Sequence, residues 1–201
     1  MRKLVTVTFV TLDGIMQAPG GPEEDDQGGF KSGGWSVNYW DDMMGQAMGE
    51  NFAKKPDLLL GRKTYEIFAA YWPFHEEEPG AENLNGAKKY VVTRTLDRVD
   101  WKNSTLVKGD VVKEISRLKG MDGPELQVHG SGNLIQTLLK HNLVDEMRLW
   151  IFPVSIGNGK RFFGEGTNPS GFKLLESKTS TTGVIIAKYE HRGELKTGSF
   201  A

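Results

Sequence analysis

The chain of 201 residues contains no cysteine. That absence excludes disulfides, thiolate metal sites and a cysteine nucleophile, and it fits a reducing compartment, so the cytoplasm is the expected location. An excess of charge of one sign is also lacking, since 25 basic and 26 acidic residues leave a formal net charge of −1. A protein that wins affinity by neutralising a run of nucleic-acid phosphates needs a basic surplus that this chain does not have. No apolar run approaches the length of a membrane span. Arg2 and Lys3 precede the first apolar stretch, but that stretch breaks at Asp13-Gly14 without a small-residue cleavage site, so it reads as a strand and not as a signal peptide. The four histidines, His75, His129, His141 and His191, are widely separated, and no metal site is expected. A Gly-x-Ser-x-Gly nucleophile elbow is missing as well.

What is present is an alternation of short apolar runs with helical stripes, in a chain long enough to bury one core without staples. Leu4 to Val10, Asp57 to Leu60, Tyr90 to Val92, Thr105 to Val107 and Leu126 to Val128 read as strands, rich in β-branched and aliphatic residues and bounded by turn signals. Met44, Ala47, Met48 and Phe52, behind a capping Asp41 or Asp42, fall at helical spacing. So do Thr64 to Tyr71, Val111 to Leu118, and Leu134 to Leu139. Glu146 to Val154 and Val184 to Tyr189 are strand-like with no helix between them, which suggests antiparallel pairing. The expectation is an α/β domain over residues 1–190, with a mixed sheet flanked by helices and an antiparallel C-terminal edge, followed by a polar tail over 191–201. Between Gln17 and Gly34 the chain is rich in Gly, Pro and acids, and reads as a long loop: a lid or binding loop, or a surface insertion.

Three of these strands run into turns suited to an anion. After Leu126 to Val128 and His129 come Gly130, Ser131, Gly132 and Asn133 and then a helix, so that small residues let backbone N–H groups and the helix dipole approach a diphosphate. After Leu60 come Gly61, Arg62, Lys63 and Thr64, again opening a helix. After Val92 come Thr93, Arg94 and Thr95, whose hydroxyls and guanidinium suit a ribose 2′-phosphate. Each turn alone has a plainer reading, as a helix cap or a cationic strand end, and the first is not the full dinucleotide fingerprint. All three lie at the carboxyl ends of expected strands, where open α/β sheets bind ligands.

The order of these pieces over residues 2 to 190 resembles the reductase domain of bacterial riboflavin biosynthesis and, more distantly, dihydrofolate reductase. The motifs that carry the resemblance are Thr11-Leu12-Asp13-Gly14, Leu60-Gly61-Arg62-Lys63-Thr64-Tyr65-Glu66, Tyr90-Val91-Val92-Thr93-Arg94, Val128-His129-Gly130-Ser131-Gly132-Asn133-Leu134, and Pro153 through Lys160. It implies a dihydrofolate reductase-like, mostly parallel sheet that binds NADPH. Gly61, Arg62 and Thr64 would then lie near the cofactor phosphates, Thr93 and Arg94 near the adenosine end, and Gly130, Ser131, Gly132 and Asn133 on the pyrophosphate. Asp13 and Gly14 would face nicotinamide and substrate, with Pro153 and Gly157 forming the other side of the pocket. The expected activity is reduction of a small heterocycle, of the 5-amino-6-(5-phosphoribosylamino)uracil type. The alternatives are a pterin reductase like dihydrofolate reductase, or a nucleotide-binding protein of this fold without turnover.

Asp13, with Asp41 second, is the expected catalytic carboxylate, while Trp35, Tyr39 and Trp40 are expected to stack on a flat ring. The competing role for Asp13 is that of a turn residue bonding nearby backbone before Gly14. A homodimer is usual in the riboflavin branch, and no zinc-type deaminase signature accompanies the domain. The acidic insert Glu23-Glu24-Asp25-Asp26 disfavours a phosphorylated substrate unless the loop swings away.

Overall fold

Along the chain, residues 1–200 of which are described by a computed structural model, the elements are β1 (Leu4–Thr11), α1 (Asp42–Phe52), β2 (Asp57–Gly61), α2 (Arg62–Tyr71), α3 (Ala81–Gly86), β3 (Lys89–Val92), β4 (Ser104–Val107), α4 (Val111–Gly120), β5 (Leu126–His129), α5 (Gly132–Lys140), β6 (Glu146–Phe152), β7 (Ser170–Thr179) and β8 (Ile185–Glu194). The strands form one eight-stranded sheet in the order β4-β3-β2-β5-β1-β6-β8-β7. Every pairing from β4 across to β6 is parallel. β8 runs against both β6 and β7. The expected architecture, mostly parallel with an antiparallel C-terminal edge, is the one found.

The central strands are apolar because helices cover both of their faces. On β2, Leu58, Leu59 and Leu60 are all fully buried. Leu59 packs with Leu4, Val128, Ile115 and Leu138 on the α4 and α5 side, whereas Leu58 and Leu60 pack with Phe52, Tyr65 and Leu84 on the α1, α2 and α3 side. Met44 and Ala47 of α1 close over Trp150 and Phe152 of β6. Every helix starts where a strand has just ended or a cap allows it: Asp41 accepts from Met44 N at 2.9 Å, and Asp110 from Lys113 N at 3.1 Å.

β7 carries no long apolar run, because it is the exposed edge, and none of its residues is buried. That polarity hid it in the sequence. β8 pairs with β7 as far as Glu194, so paired structure reaches into the stretch expected as a polar tail. The short α3 was also unanticipated. It has a glycine in left-handed conformation, Gly80, as its cap, with no side-chain capping bond.

Under α3 lies a buried cation. Lys89 has no exposed surface, and its Nζ donates to the carbonyls of Asn85, Ala87 and Lys102 at 3.1, 2.8 and 3.0 Å, while sitting 4.1 Å from the Trp101 ring centroid. Burial, with Lys102 adding repulsion, pushes its pKa from 10.5 down to about 8. The unfolded chain therefore binds more protons than the folded one between these values, so this group raises stability with pH across that window and disfavours the fold below it. Urea denaturation at pH 8 and pH 10 is expected to show wild type gaining on Lys89→Met as pH rises, by about 2 kcal/mol.

Candidate active site

A cleft of about 920 Å³ opens across the carboxyl ends of β1, β2, β3 and β5. Gly61, Arg62, Thr64, Thr93, Arg94, Gly130, Ser131, Gly132 and Asn133 all line it. The three turns recognised separately in the sequence are thus walls of one site.

Two of them are tied together. Gly130 and Ser131 both take left-handed backbone, with φ of 52° and 58°. This double reversal turns the chain from β5 into α5 and aims Ser131 at the start of α2. Ser131 Oγ accepts from Gly61 N at 2.9 Å and donates to His129 O at 2.9 Å, while Ser131 N donates to Thr64 Oγ1 at 2.9 Å. A side chain on Gly61 would meet Ser131 Cβ at 3.4 Å, and one on Gly130 would meet Thr64 Oγ1 at 3.2 Å. Gly130 is thus constrained twice, by its left-handed backbone and by a contact tighter than ordinary packing, whereas at Gly61 a side chain would come into ordinary van der Waals contact with Ser131. The first N–H groups of α2 and α5 have no intrahelical acceptors, so two positive helix ends share one wall.

The charged groups around that wall differ in availability. Arg62 is paired with Glu66 at 3.0 Å. Lys63 and Arg94, which also line the cleft, have no ion-pair partner among the described residues. Lys63 was part of the recognised motif but was not singled out. Thr93 Oγ1 accepts from Thr95 N at 3.1 Å and Leu96 N at 3.0 Å, which folds the turn that carries Arg94.

The opposite rim is the long loop. It does not swing free: Gln17 Nε2 donates to Asp25 O and Gln27 O at 3.0 and 2.9 Å, and Lys160 Nζ holds Asp25 Oδ2 at 2.6 Å and Gln27 Oε1 at 2.7 Å. Lys160 N in turn donates to Gln17 Oε1 at 3.0 Å. Glu24, Asp25 and Asp26 consequently line the cleft. Burial pushes the Glu24 carboxyl up, opposed by bonds from the Gly20 and Gly21 N–H groups.

The expected catalytic carboxylates lie elsewhere. Asp13 accepts from the Thr11 hydroxyl and from Ile156 N and Gly157 N, at 3.2 and 2.6 Å, and these bonds hold it below the usual carboxylate range. It fastens β1 to the loop after β6 and does not line the cleft. Asp41 caps α1 and accepts from Thr181 N and Oγ1 at 2.8 and 2.7 Å, and it too is outside.

Of the residues expected against the substrate, Trp40 lines the cleft, stacked on Trp150 with centroids 6.0 Å apart. Trp35 and Tyr39 instead pack edge-on against Phe152, and Gly14, Pro153 and Gly157 do not reach the cleft wall. Phe9, Phe52, Phe68 and Trp72, none of them expected, join Trp40 to make an aromatic half beside the half formed by the two helix N-termini. No cluster that could hold a metal ion occurs among the described residues.

Residues 2–186 match the family model of the RibD C-terminal domain. The chain belongs to that family. Among curated proteins, this RibD C-terminal domain is 28% identical over 198 residues to the uncharacterized protein YyaP of Bacillus subtilis (strain 168), covering 96% of both chains. It is 25% identical to YwjB of the same organism, covering 88% of this chain and 91% of that one. Among solved structures, a provisionally named riboflavin biosynthesis protein from Shewanella sp. PV-4 superposes with a TM-score of 0.69 at 24% identity, over 96% of this chain and 99% of that one. A pyrimidine reductase-like protein from Corynebacterium diphtheriae NCTC gives 0.63 at 11% identity, covering 96% and 93%. Both superpositions share the riboflavin reductase-like fold.

The tie between the helix ends makes a direct prediction. Thr64→Val keeps the shape of the side chain but leaves the Ser131 N–H without its acceptor, so urea unfolding is expected to lose about 1–3 kcal/mol of stability.

Proposed function

We propose that the protein is an NADPH-dependent reductase of a small heterocyclic substrate, of the pyrimidine reductase type. The observation that carries the reading is the joining of two helix N-termini and an unpaired Arg94 in one cleft that also has an aromatic half. A pyrophosphate suits the free N–H groups at Gly132 and Asn133, which the glycine turn leaves uncovered. A ribose 2′-phosphate suits Arg94 on the Thr93 turn, and Lys63 supplies a second free cation.

When bound, NADPH supplies a hydride for transfer to a carbonyl or imine carbon. The protein's own part is alignment and exclusion of water: the glycine turn fixes the cofactor's phosphates, the aromatic half receives a flat ring, and the loop held by Lys160 closes the rim. Four carboxyls line the cleft, Glu24, Asp25, Asp26 and Glu66, of which Asp25 is engaged by Lys160 and Glu66 by Arg62. Glu24, shifted by burial towards its protonated form, suits the task of holding the proton that must accompany the hydride. Family likeness extends the reading to a homodimer in the cytoplasm. No helix among the described residues is long and apolar enough to cross a membrane.

One observation favours a second reading, a nucleotide-binding protein without turnover: neither Asp13 nor Asp41 reaches the cleft. Binding of NADPH without its oxidation across pyrimidine and pterin substrates would select it. The cofactor assignment is tested by Arg94→Ala. Titration of cofactor fluorescence is expected to show about tenfold weaker NADPH binding with NADH affected about twofold or less, because only NADPH carries the extra phosphate. Equal losses for both cofactors would remove the 2′-phosphate from this turn.

A further inference from the structure

In the floor of the aromatic half, His129 ends β5 with its ring stacked on Phe52, centroids 5.6 Å apart and planes 3° from parallel. It lines the cleft together with Phe9, Trp40, Met48 and Phe68. A histidine here offers a hydrogen-bond donor or an acceptor depending on which nitrogen holds the proton. The neighbouring residues decide which.

Gln127 lies two residues earlier on the same face of β5. Its Nε2 donates to Asn51 O at 2.8 Å and to Glu125 Oε1 at 2.7 Å, two groups that only accept. A flipped amide would set oxygen against oxygen at both places, so the orientation is determined by the bonds. The Gln127 amide oxygen is thereby turned to His129 Nε2, at 3.0 Å. That oxygen can only accept, so Nε2 carries the hydrogen and Nδ1 carries a lone pair. Glu125 is itself held by Arg148 through two bonds of 2.9 and 3.0 Å, which anchors the line from below. Burial, with the Arg148 charge adding to it, pushes the imidazole pKa down to about 4, so the ring is neutral at neutral pH.

Nδ1 has no partner among the described residues. Nor does it belong with the side-chain atoms that are both unpartnered and sealed from solvent, such as Thr8 Oγ1 and Trp150 Nε1. It is an accessible acceptor on a ring that is only 8% exposed, in a residue that lines the cleft.

We propose that His129 is the specificity-determining residue of the substrate side: its Nδ1 accepts a hydrogen bond from an N–H of a flat heterocycle held among the aromatic residues of the cleft. The substrate class is therefore cyclic amides and amino-substituted heterocycles that present such a donor. Their N-methylated counterparts are rejected, because a methyl group strips water from Nδ1 and returns no hydrogen bond. The proposal rests on the reductase reading for placing substrate on this side of the cleft, and not for the state of the histidine.

Two measurements on the wild-type protein test it, and one variant adds a third. Long-range ¹⁵N–¹H correlation spectra at pH 7 are expected to show His129 as the Nε2–H tautomer; the Nδ1–H tautomer would overturn the proposal. Calorimetric titration in the presence of NADP⁺ is expected to show lumazine binding at least about tenfold more tightly than 1,3-dimethyllumazine. His129→Phe is expected to bring the pair within about twofold of each other. Equal affinity of the two for wild type, or binding of neither, would overturn the assignment. A separate NADP⁺ titration keeps the two failures distinct: cofactor binding without discrimination removes His129 and leaves the reductase reading, and discrimination without cofactor binding does the reverse.

Discussion

The site depends on one side chain, Ser131, which fastens the start of α5 to the start of α2. A parallel sheet delivers successive helices with their N-termini on the same edge, and like ends of helix dipoles repel when brought side by side. Ser131 joins them by placing its N–H on Thr64 Oγ1 and its Oγ on Gly61 N. Those bonds depend on the left-handed backbone that Gly130 and Ser131 adopt, which turns the chain so that Ser131 meets the start of α2. The result is a wall that is electropositive by construction. An anion placed there would relieve the repulsion, so the interaction that shapes the wall also suits it to the phosphates of the proposed cofactor.

The two faces of the sheet then divide the cleft. Side chains alternate along β5, so Val128 joins the core beneath α5, while Gln127 and His129 point to the α1 side. Backbone groups at the turn are suited to charge, and the side chains on the α1 face to a flat ring. Carboxylates on the loop side, held in place by Lys160 and Gln17, keep the two ends electrostatically different. In the proposed reading, a dinucleotide would occupy the first half without constraining what occupies the second.

This division explains what was legible in the sequence. The turns at Gly61, Thr93 and Gly130 could be read because their requirements are local: a strand end, small residues, a helix start. The strands and helices of the core were readable for the same reason, since burial on both faces leaves a continuous apolar run. β7 was not, because an exposed edge carries no such run, and α3 has no capping side chain to announce it. The aromatic half was assembled from Phe9, Phe52, Phe68 and Trp72 on separate elements, with no spacing that links them.

The carboxylates show the limit most sharply. Asp13 beside Gly14, and Asp41 before a helix, each look available when only their neighbours are considered. Their tasks are set by partners far along the chain: Ile156 and Gly157 for Asp13, and Thr181 for Asp41. Both carboxylates already accept several bonds, so each is held in its charged form, and neither lines the cleft. His129 is the reverse case. Its neighbours within the strand determine which nitrogen is protonated, yet nothing in a lone histidine beside a glycine turn reveals that one nitrogen is left over. A group already satisfied by the fold has little left to offer a ligand, and a group half satisfied, with its free atom open to a cleft, has been left that capacity.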